Sequence, residues 1–290
     1  MAKKIFIDGK AGTTGLRIFE RLENFAGIEI ITLSDEKRKD INARKEALNS
    51  VDIAFLCLPD DAARESVSLI ENDNTVVIDT STAHRIDETF AYGFPELSEK
   101  HKEKLKNSKR IAVPGCHASG FIALVYPLIE SGILGENENF SCFSLTGYSG
   151  GGKKMIAEYE DAEREELLDA PRQYGLTQQH KHLKEMKAIS KIENAPVFCP
   201  VVAPFYSGME VTVPIFKNML KNGTTIEDIK SVYKEKYQGP IVNFNENNDE
   251  AGFISAGAFS GLDSMEISVF GNEDRIILTA RYDNLGKGAS

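Results

Sequence analysis

Three observations predict a two-domain α/β protein. Apolar runs alternate with helical patterns over residues 1–115, a glycine-rich turn follows the first run at once, and after residue 116 apolar runs come in succession with few helices between them. The first pattern belongs to a Rossmann-type parallel sheet covered on both faces by helices. The last belongs to an α+β second domain with a mixed or antiparallel sheet. The expected domains are therefore 1–115 and 116–282.

In the first domain, residues 4–8, 29–34, 52–58, 75–79 and 110–113 are rich in Ile, Val and Phe and read as buried strands. Leu16, Phe19 and Leu22 share one face of a helix, and residues 62–70 follow the N-terminal signal Asp60-Asp61. In the second domain, 153–168 and 178–189 read as helices, and 196–203, 209–216, 252–258, 264–270 and 275–282 as strands. Thr225-x-x-Asp228 has the form of a capping box for a helix running to Tyr237.

The net charge of −10 excludes nucleic acid and anionic membrane as the main partner, although a local basic cluster can still serve a small anion. Apolar residues 120–129 are too short to span a bilayer. Lys3-Lys4 lead into a run that Asp8 interrupts, which is not a secretory pattern. Cys57, Cys116, Cys142 and Cys199 are dispersed and lack metal-type spacing, so a reduced, cytoplasmic protein is expected, with no metal site.

Two segments carry chemistry. Gly9-Lys10-Ala11-Gly12-Thr13-Thr14-Gly15 follows the first strand and opens the first helix. Its G-x-x-G-x-x-G spacing differs from the commoner dinucleotide pattern. The physics is shared: a tight turn, close backbone approach to a pyrophosphate, and a helix N-terminus aimed at it. After the second strand, Asp35 suits the ribose hydroxyls of NAD, while Ser34 with Lys37, Arg38 or Lys39 suits the 2′-phosphate of NADP; NADP is the expectation. The second segment, Pro114-Gly115-Cys116-His117-Ala118, puts a thiol between an apolar strand and an apolar helix. There the helix dipole and unpaired N–H groups favour thiolate, the nucleophilic form. The alternative for such a cysteine is a small buried hydrophobe.

Further along, Asp79-Thr80-Ser81-Thr82-Ala83-His84-Arg85, Tyr92-Gly93-Phe94-Pro95-Glu96-Leu97, Thr146-Gly147-Tyr148-Ser149-Gly150-Gly151-Gly152-Lys153, Tyr174-Gly175-Leu176-Thr177-Gln178-Gln179-His180-Lys181-His182 and Asp283-Asn284-Leu285-Gly286-Lys287-Gly288-Ala289 occur in order. With the two segments above, the chain resembles the shorter form of the N-acetyl-gamma-glutamyl-phosphate reductase family of arginine biosynthesis. Its wider relatives include aspartate-semialdehyde dehydrogenase. The resemblance implies NADPH-dependent reduction of an acyl phosphate to an aldehyde, by a homo-oligomer (dimer or tetramer) acting on a small molecule. Cys116 would attack the acyl carbon and His180 would serve as acid/base, with His182 the second choice for that role or a substrate ligand. Arg85, Lys153 and Ser149 would hold substrate, Arg85 through its bidentate fork. Gly9, Gly12, Thr13, Thr14, Gly15, Ser34, Arg38, Pro59 and Asn284 would hold NADP. Residues 283–290 would turn back to the first domain, since relatives continue from there into a final helix that packs on the cofactor domain. Val113 and His117 depart from the Asn and the aromatic that many family members carry. Rival readings are a related semialdehyde dehydrogenase, an NADP-binding regulator without catalysis, and a redox sensor; no nearby second cysteine supports the last.

Overall fold

Strand β1 (Lys3–Asp8) alternates its side chains between two cores, and this fixes the architecture of the first half of the chain. In the computed structural model, which describes residues 2–10 and 12–287, the chain divides into two compact units, one ending at Pro114 and the other beginning at Gly115. Ile5 and Ile7 pack with Ile18, Phe19 and Leu22 of α1 (Thr13–Leu22). Phe6 packs on the opposite face with Ala47 and Leu48 of α2 (Ile41–Asn49). Strands β2 (Ile28–Ile31), β3 (Ile53–Leu56) and β4 (Val76–Asp79) follow, with α3 (Asp60–Ser68) between the last two. Then come β5 (Ala91–Tyr92), α4 (Glu99–Asn107) and β6 (Arg110–Ala112). All pairings are parallel, in the order β2-β1-β3-β4-β6-β5. The chain leaves β1 where the strand order reverses, the place at which open α/β sheets bind ligands.

The second unit opens on α5 (Cys116–Glu130), in which every residue from His117 to Ile129 is buried. A helix apolar all round must be covered on all sides. Pro127 interrupts its hydrogen-bond ladder: it has no N–H to give the Ala123 carbonyl. The Tyr237 hydroxyl donates to that carbonyl instead, at 2.8 Å. Then follow β7 (Ser141–Gly147), α6 (Gly152–Glu160), β8 (Arg172–Gln173), α7 (His182–Ser190), β9 (Val197–Ala203), β10 (Met209–Phe216), α8 (Ile226–Lys236), β11 (Val242–Phe244), β12 (Met265–Gly271) and β13 (Arg275–Tyr282). They form one sheet in the order β11-β12-β13-β10-β7-β9-β8. β7–β9 and β11–β12 are parallel and the other pairs antiparallel, so the sheet is mixed. Thr225 and Asp228 make the capping box expected for α8.

Several elements differ from expectation. Residues 252–258 form no strand; they lie among turns, with one isolated bridge between Glu250 and Phe253. The helix expected over 153–168 stops at Glu160, and the one expected from 178 begins at His182. Residues 283–287, expected with the first domain, group with the second unit: there Asp283 accepts the N–H groups of Gly261 and Gly286, and Asn284 accepts that of Gly208. Residues 288–290 lie outside the described residues.

Candidate active site

Cys116 is the first residue of α5, with Gly115 as the extended N-cap residue and no side chain capping the helix among the described residues. The half-buried thiol thus sits at the positive end of the α5 dipole. Two bonds hold this corner. The Gly115 N–H donates to Glu185 of α7 at 2.8 Å, and the Tyr282 hydroxyl donates to the Cys116 carbonyl at 2.5 Å. Gly120, one turn along, lets α5 lie on the sheet, because a Cβ there would sit 2.6 Å from Val211 and 2.7 Å from the Tyr282 hydroxyl. The glutamate clamp also ties the thiol to α7, the helix that His182 begins.

Three imidazoles meet here. The ring centroids of His180 and His182 are 4.9 Å apart, and those of His117 lie 5.9 and 5.5 Å from them. Phe198 of β9 packs on His117 and His180 at 5.3 and 5.1 Å. His180 sits on the turn before α7, and its Nδ1 accepts the backbone N–H of His182 at 3.3 Å. The neutral ring therefore carries its proton on Nε2. Burial, with Lys181 adding to it, lowers the His180 pKa and keeps the ring neutral. Gln178 anchors this turn to β9 from both ends of its amide, accepting the Phe198 N–H at 2.8 Å and donating to the Phe198 carbonyl at 2.7 Å.

His117 is a site residue that sequence reasoning passed over. It is buried, with Nδ1 2.6 Å from the Ser144 hydroxyl and Nε2 2.6 Å from the Tyr174 hydroxyl. Burial, then the proximity of His180 and Lys181, holds its pKa down at about 3. Tyr174 is pushed above its usual range by burial and by the neighbouring Cys116. The signal was present in the polar residue where an aromatic was expected, but its partners lie on β7 and before α7, far off in sequence. One ligand atom from each of Cys116, His117 and His182 lies within 4.8 Å of the other two. The expectation of no metal ligands rested on finding no third donor near His180-x-His182. In space the further donors are Cys116 and His117.

Ser149 and Asn284, expected on substrate and cofactor, bind each other in the second unit: the Asn284 amide donates to the Ser149 hydroxyl at 2.9 Å. The other end of that amide accepts the Gly208 N–H. Lys153 lies exposed in the first turn of α6.

In the first unit, a Cβ on Gly9 (φ +89°) would collide with the Cys57 carbonyl, and one on Gly15 would come within 2.6 Å of the Gly9 carbonyl. The turn thus needs glycine at both places, and Gly12 is the N-cap residue of α1, whose N-terminus has no side-chain cap among the described residues. Thr13 and Thr14 form the first helical positions. Bare backbone around open N–H groups suits a pyrophosphate. Below it, Arg44 joins Asp8 at 3.1 Å and Glu65 at 2.6 Å, fixing the end of β1 where the turn begins. Ser34 and Arg38 are exposed, and Arg38 lies 3.5 Å from Asp35, so the acid and base of the cofactor question face each other. Pro59 is the exposed N-cap residue of α3. Arg85 is buried and donates to the Thr80 carbonyl at 3.0 Å. Beside it His84 bonds Asp79 at 2.7 Å and stacks on Phe90.

Residues 4–105 match the family model "Semialdehyde dehydrogenase, NAD binding domain", and residues 116–284 match "Semialdehyde dehydrogenase, dimerisation domain". The chain belongs to the semialdehyde dehydrogenase family. Semialdehyde dehydrogenase relatives similar to it over its full length are named N-acetyl-gamma-glutamyl-phosphate reductase. That of Sinorhizobium medicae is 42% identical, covering 100% of this chain and 96% of its own. That of a Chelativorans species is 44% identical, covering 100% and 95%. A reductase 2 of a Nostoc species is 42% identical over 99% and 93%. Among solved structures, aspartate semialdehyde dehydrogenase II of Vibrio cholerae superposes with a TM-score of 0.70 at 16% identity, over 100% of this chain and 95% of that one. The NADP-bound aspartate semialdehyde dehydrogenase of Candida albicans gives 0.67 at 15% over 98% and 94%. These two share the semialdehyde dehydrogenase fold. The chain is thus an oxidoreductase of this family with an N-terminal NAD(P)-binding domain.

Proposed function

We propose that this protein reduces N-acetyl-gamma-glutamyl phosphate to N-acetylglutamate semialdehyde and phosphate with NADPH, through a thioester on Cys116. The observation that carries the reading is the thiol at the N-terminus of α5 beside the imidazoles of His117 and His182, with His180 packed on both, in a chain whose full-length relatives bear that name. The Cys116 thiolate attacks the acyl carbon and expels phosphate. The first-turn N–H groups of α5 are aimed to stabilise the oxyanion formed at that carbon. NADPH, when bound on Gly9, Gly12, Thr13, Thr14 and Gly15, supplies the hydride that takes the thioester to the aldehyde level. His180, neutral and protonated on Nε2, gives and recovers the proton as the thiol is released. His182, Arg85 and Lys153 bind substrate, the last two through its anionic groups. Ser149 and Asn284 shape the site through their mutual hydrogen bond, and Pro59 serves the cofactor in the first unit.

Ser34 and Arg38 select NADPH over NADH once Arg38 turns from Asp35 to a 2′-phosphate. The protein works as a homo-oligomer. Phe143, Val197, Phe216 and Ile277 stand exposed on one face of the second unit's sheet, a surface suited to a second copy. None of the four cysteines is in a disulfide, which fits the cytoplasm.

The test is the reaction run backwards: N-acetylglutamate semialdehyde, phosphate and NADP+, following NADPH. Activity that needs phosphate, prefers this semialdehyde to that of aspartate and prefers NADP+ to NAD+ is expected. Preference for the aspartate compound would reassign the substrate, and equal or better rates with NAD+ would assign Asp35 to the ribose.

A further inference from the structure

Cys116, His117 and His182 present a thiol and two imidazoles whose ligand atoms lie within 4.8 Å of one another. This is a Cys-His-His donor set, which Zn2+ accepts with a fourth tetrahedral position left open. Tetrahedral bonds of about 2.0–2.3 Å set ligand atoms roughly 3.3–3.8 Å apart, so closure asks for about 1 Å of side-chain movement. The framework is already rigid. Glu185 clamps α7 to the start of α5, and both imidazoles are buried, at 3% and 4% exposure. His117 has the outer hydrogen bond that orients a metal-bound ring, in this case to the Ser144 hydroxyl at 2.6 Å. It would exchange its bond to Tyr174 for the metal.

We propose that Cys116, His117 and His182 form a reversible inhibitory site for Zn2+ or a similar borderline divalent cation. Binding forms a metal–sulfur bond and releases the thiol proton to solvent; no electron changes hands. A metal-held thiolate cannot attack an acyl carbon, so occupancy blocks the nucleophile. The binding itself does not depend on the reaction proposed above, whereas the inhibition does.

The test is calorimetric titration of the full-length protein with Zn2+ alone, repeated with Co2+ to read the thiolate-to-cobalt charge-transfer band. One metal per chain, reversed by EDTA, is expected. His117→Phe should weaken binding by roughly 100-fold or more, since losing even an outer partner of a metal ligand costs about 10–100-fold. Cys116→Ser should abolish the cobalt band. Circular dichroism establishes that each variant is folded, and if His117→Phe is not, the cobalt band of the wild type against Cys116→Ser decides. No stoichiometric binding, or binding unchanged by both substitutions, would overturn the proposal. Stoichiometric Zn2+ binding in a protein without the reverse reaction would leave the site standing and remove the substrate assignment alone.

Discussion

His180 and His182 are neighbours in space and in sequence, yet their surroundings differ. His180 is only half-buried, and its Nδ1 accepts the His182 N–H, which leaves the proton on Nε2. His182 is buried as the first residue of α7. His180→Asn should therefore lower kcat by ~10²–10⁴, the usual contribution of a general acid/base, while His182→Asn should act mainly on KM. Assays at saturating substrate separate the two, and a larger fall in kcat for His182→Asn would exchange the roles. His117 carries a prediction about stability. Its pKa falls from 6.5 in the unfolded chain to about 3 in the folded protein. Between those values the unfolded chain takes up a proton that the folded protein refuses, so stability declines as pH falls from 6.5 towards 3. The slope from this group is at most about 1.4 kcal/mol per pH unit. Urea unfolding of His117→Phe across that window should show a correspondingly shallower pH dependence, and an unchanged slope would mean that His117 is hydrated and charged. Cys116, His180 and His182 stand out in the sequence because they sit in ordered local motifs, and the structure brings Cys116 to His182 and His182 to His180. His117, Tyr174, Ser144 and Gln178 do not stand out, because each acquires its meaning from a partner about 20 to 57 residues away.

Helix α5 is the element on which the site depends. It is apolar throughout, so the sheet, α7 and α8 must all cover it, and that packing sets where its N-terminus points. Gly120→Ala would push a methyl group against Val211 and the Tyr282 hydroxyl, the group that also holds the Cys116 carbonyl. Overpacking of this kind costs about 1–3 kcal/mol. The urea midpoint should fall accordingly and kcat should fall with it; an unchanged midpoint would show that α5 has room to shift. The apolar stretch of α5 and the strands of the first sheet were readable from periodicity. Strand β7 was not: its sequence, Ser-Cys-Phe-Ser-Leu-Thr-Gly, mixes small and polar residues although it pairs on both sides. Its polar positions are buried by tertiary partners, Ser144 by His117 among them. The apolar residues of 252–258 misled in the opposite direction, for they lie in turns.

The two units divide the labour as the chain does, with the phosphate-suited glycine turn in the first and the thiol with its imidazoles in the second. The division after Pro114 falls where βαβ alternation ends in the sequence. The path of residues 283–287 was not legible there, since Asp283 and Asn284 are fixed by backbone N–H groups of Gly208, Gly261 and Gly286 that no pattern announces. The central claim for the whole protein is covalent catalysis by one thiol. Without phosphate, the reaction with N-acetylglutamate semialdehyde and NADP+ should stop at the acyl-enzyme, because nothing is present to release it. The decisive measurement is mass spectrometry of the quenched protein alongside the NADPH formed. The account predicts one equivalent of NADPH per active site and one N-acetylglutamyl group on the peptide containing Cys116, both lost in Cys116→Ser. An unmodified Cys116 peptide after a full equivalent of NADPH, or a Cys116→Ser protein keeping more than about a tenth of the wild-type rate, would contradict it.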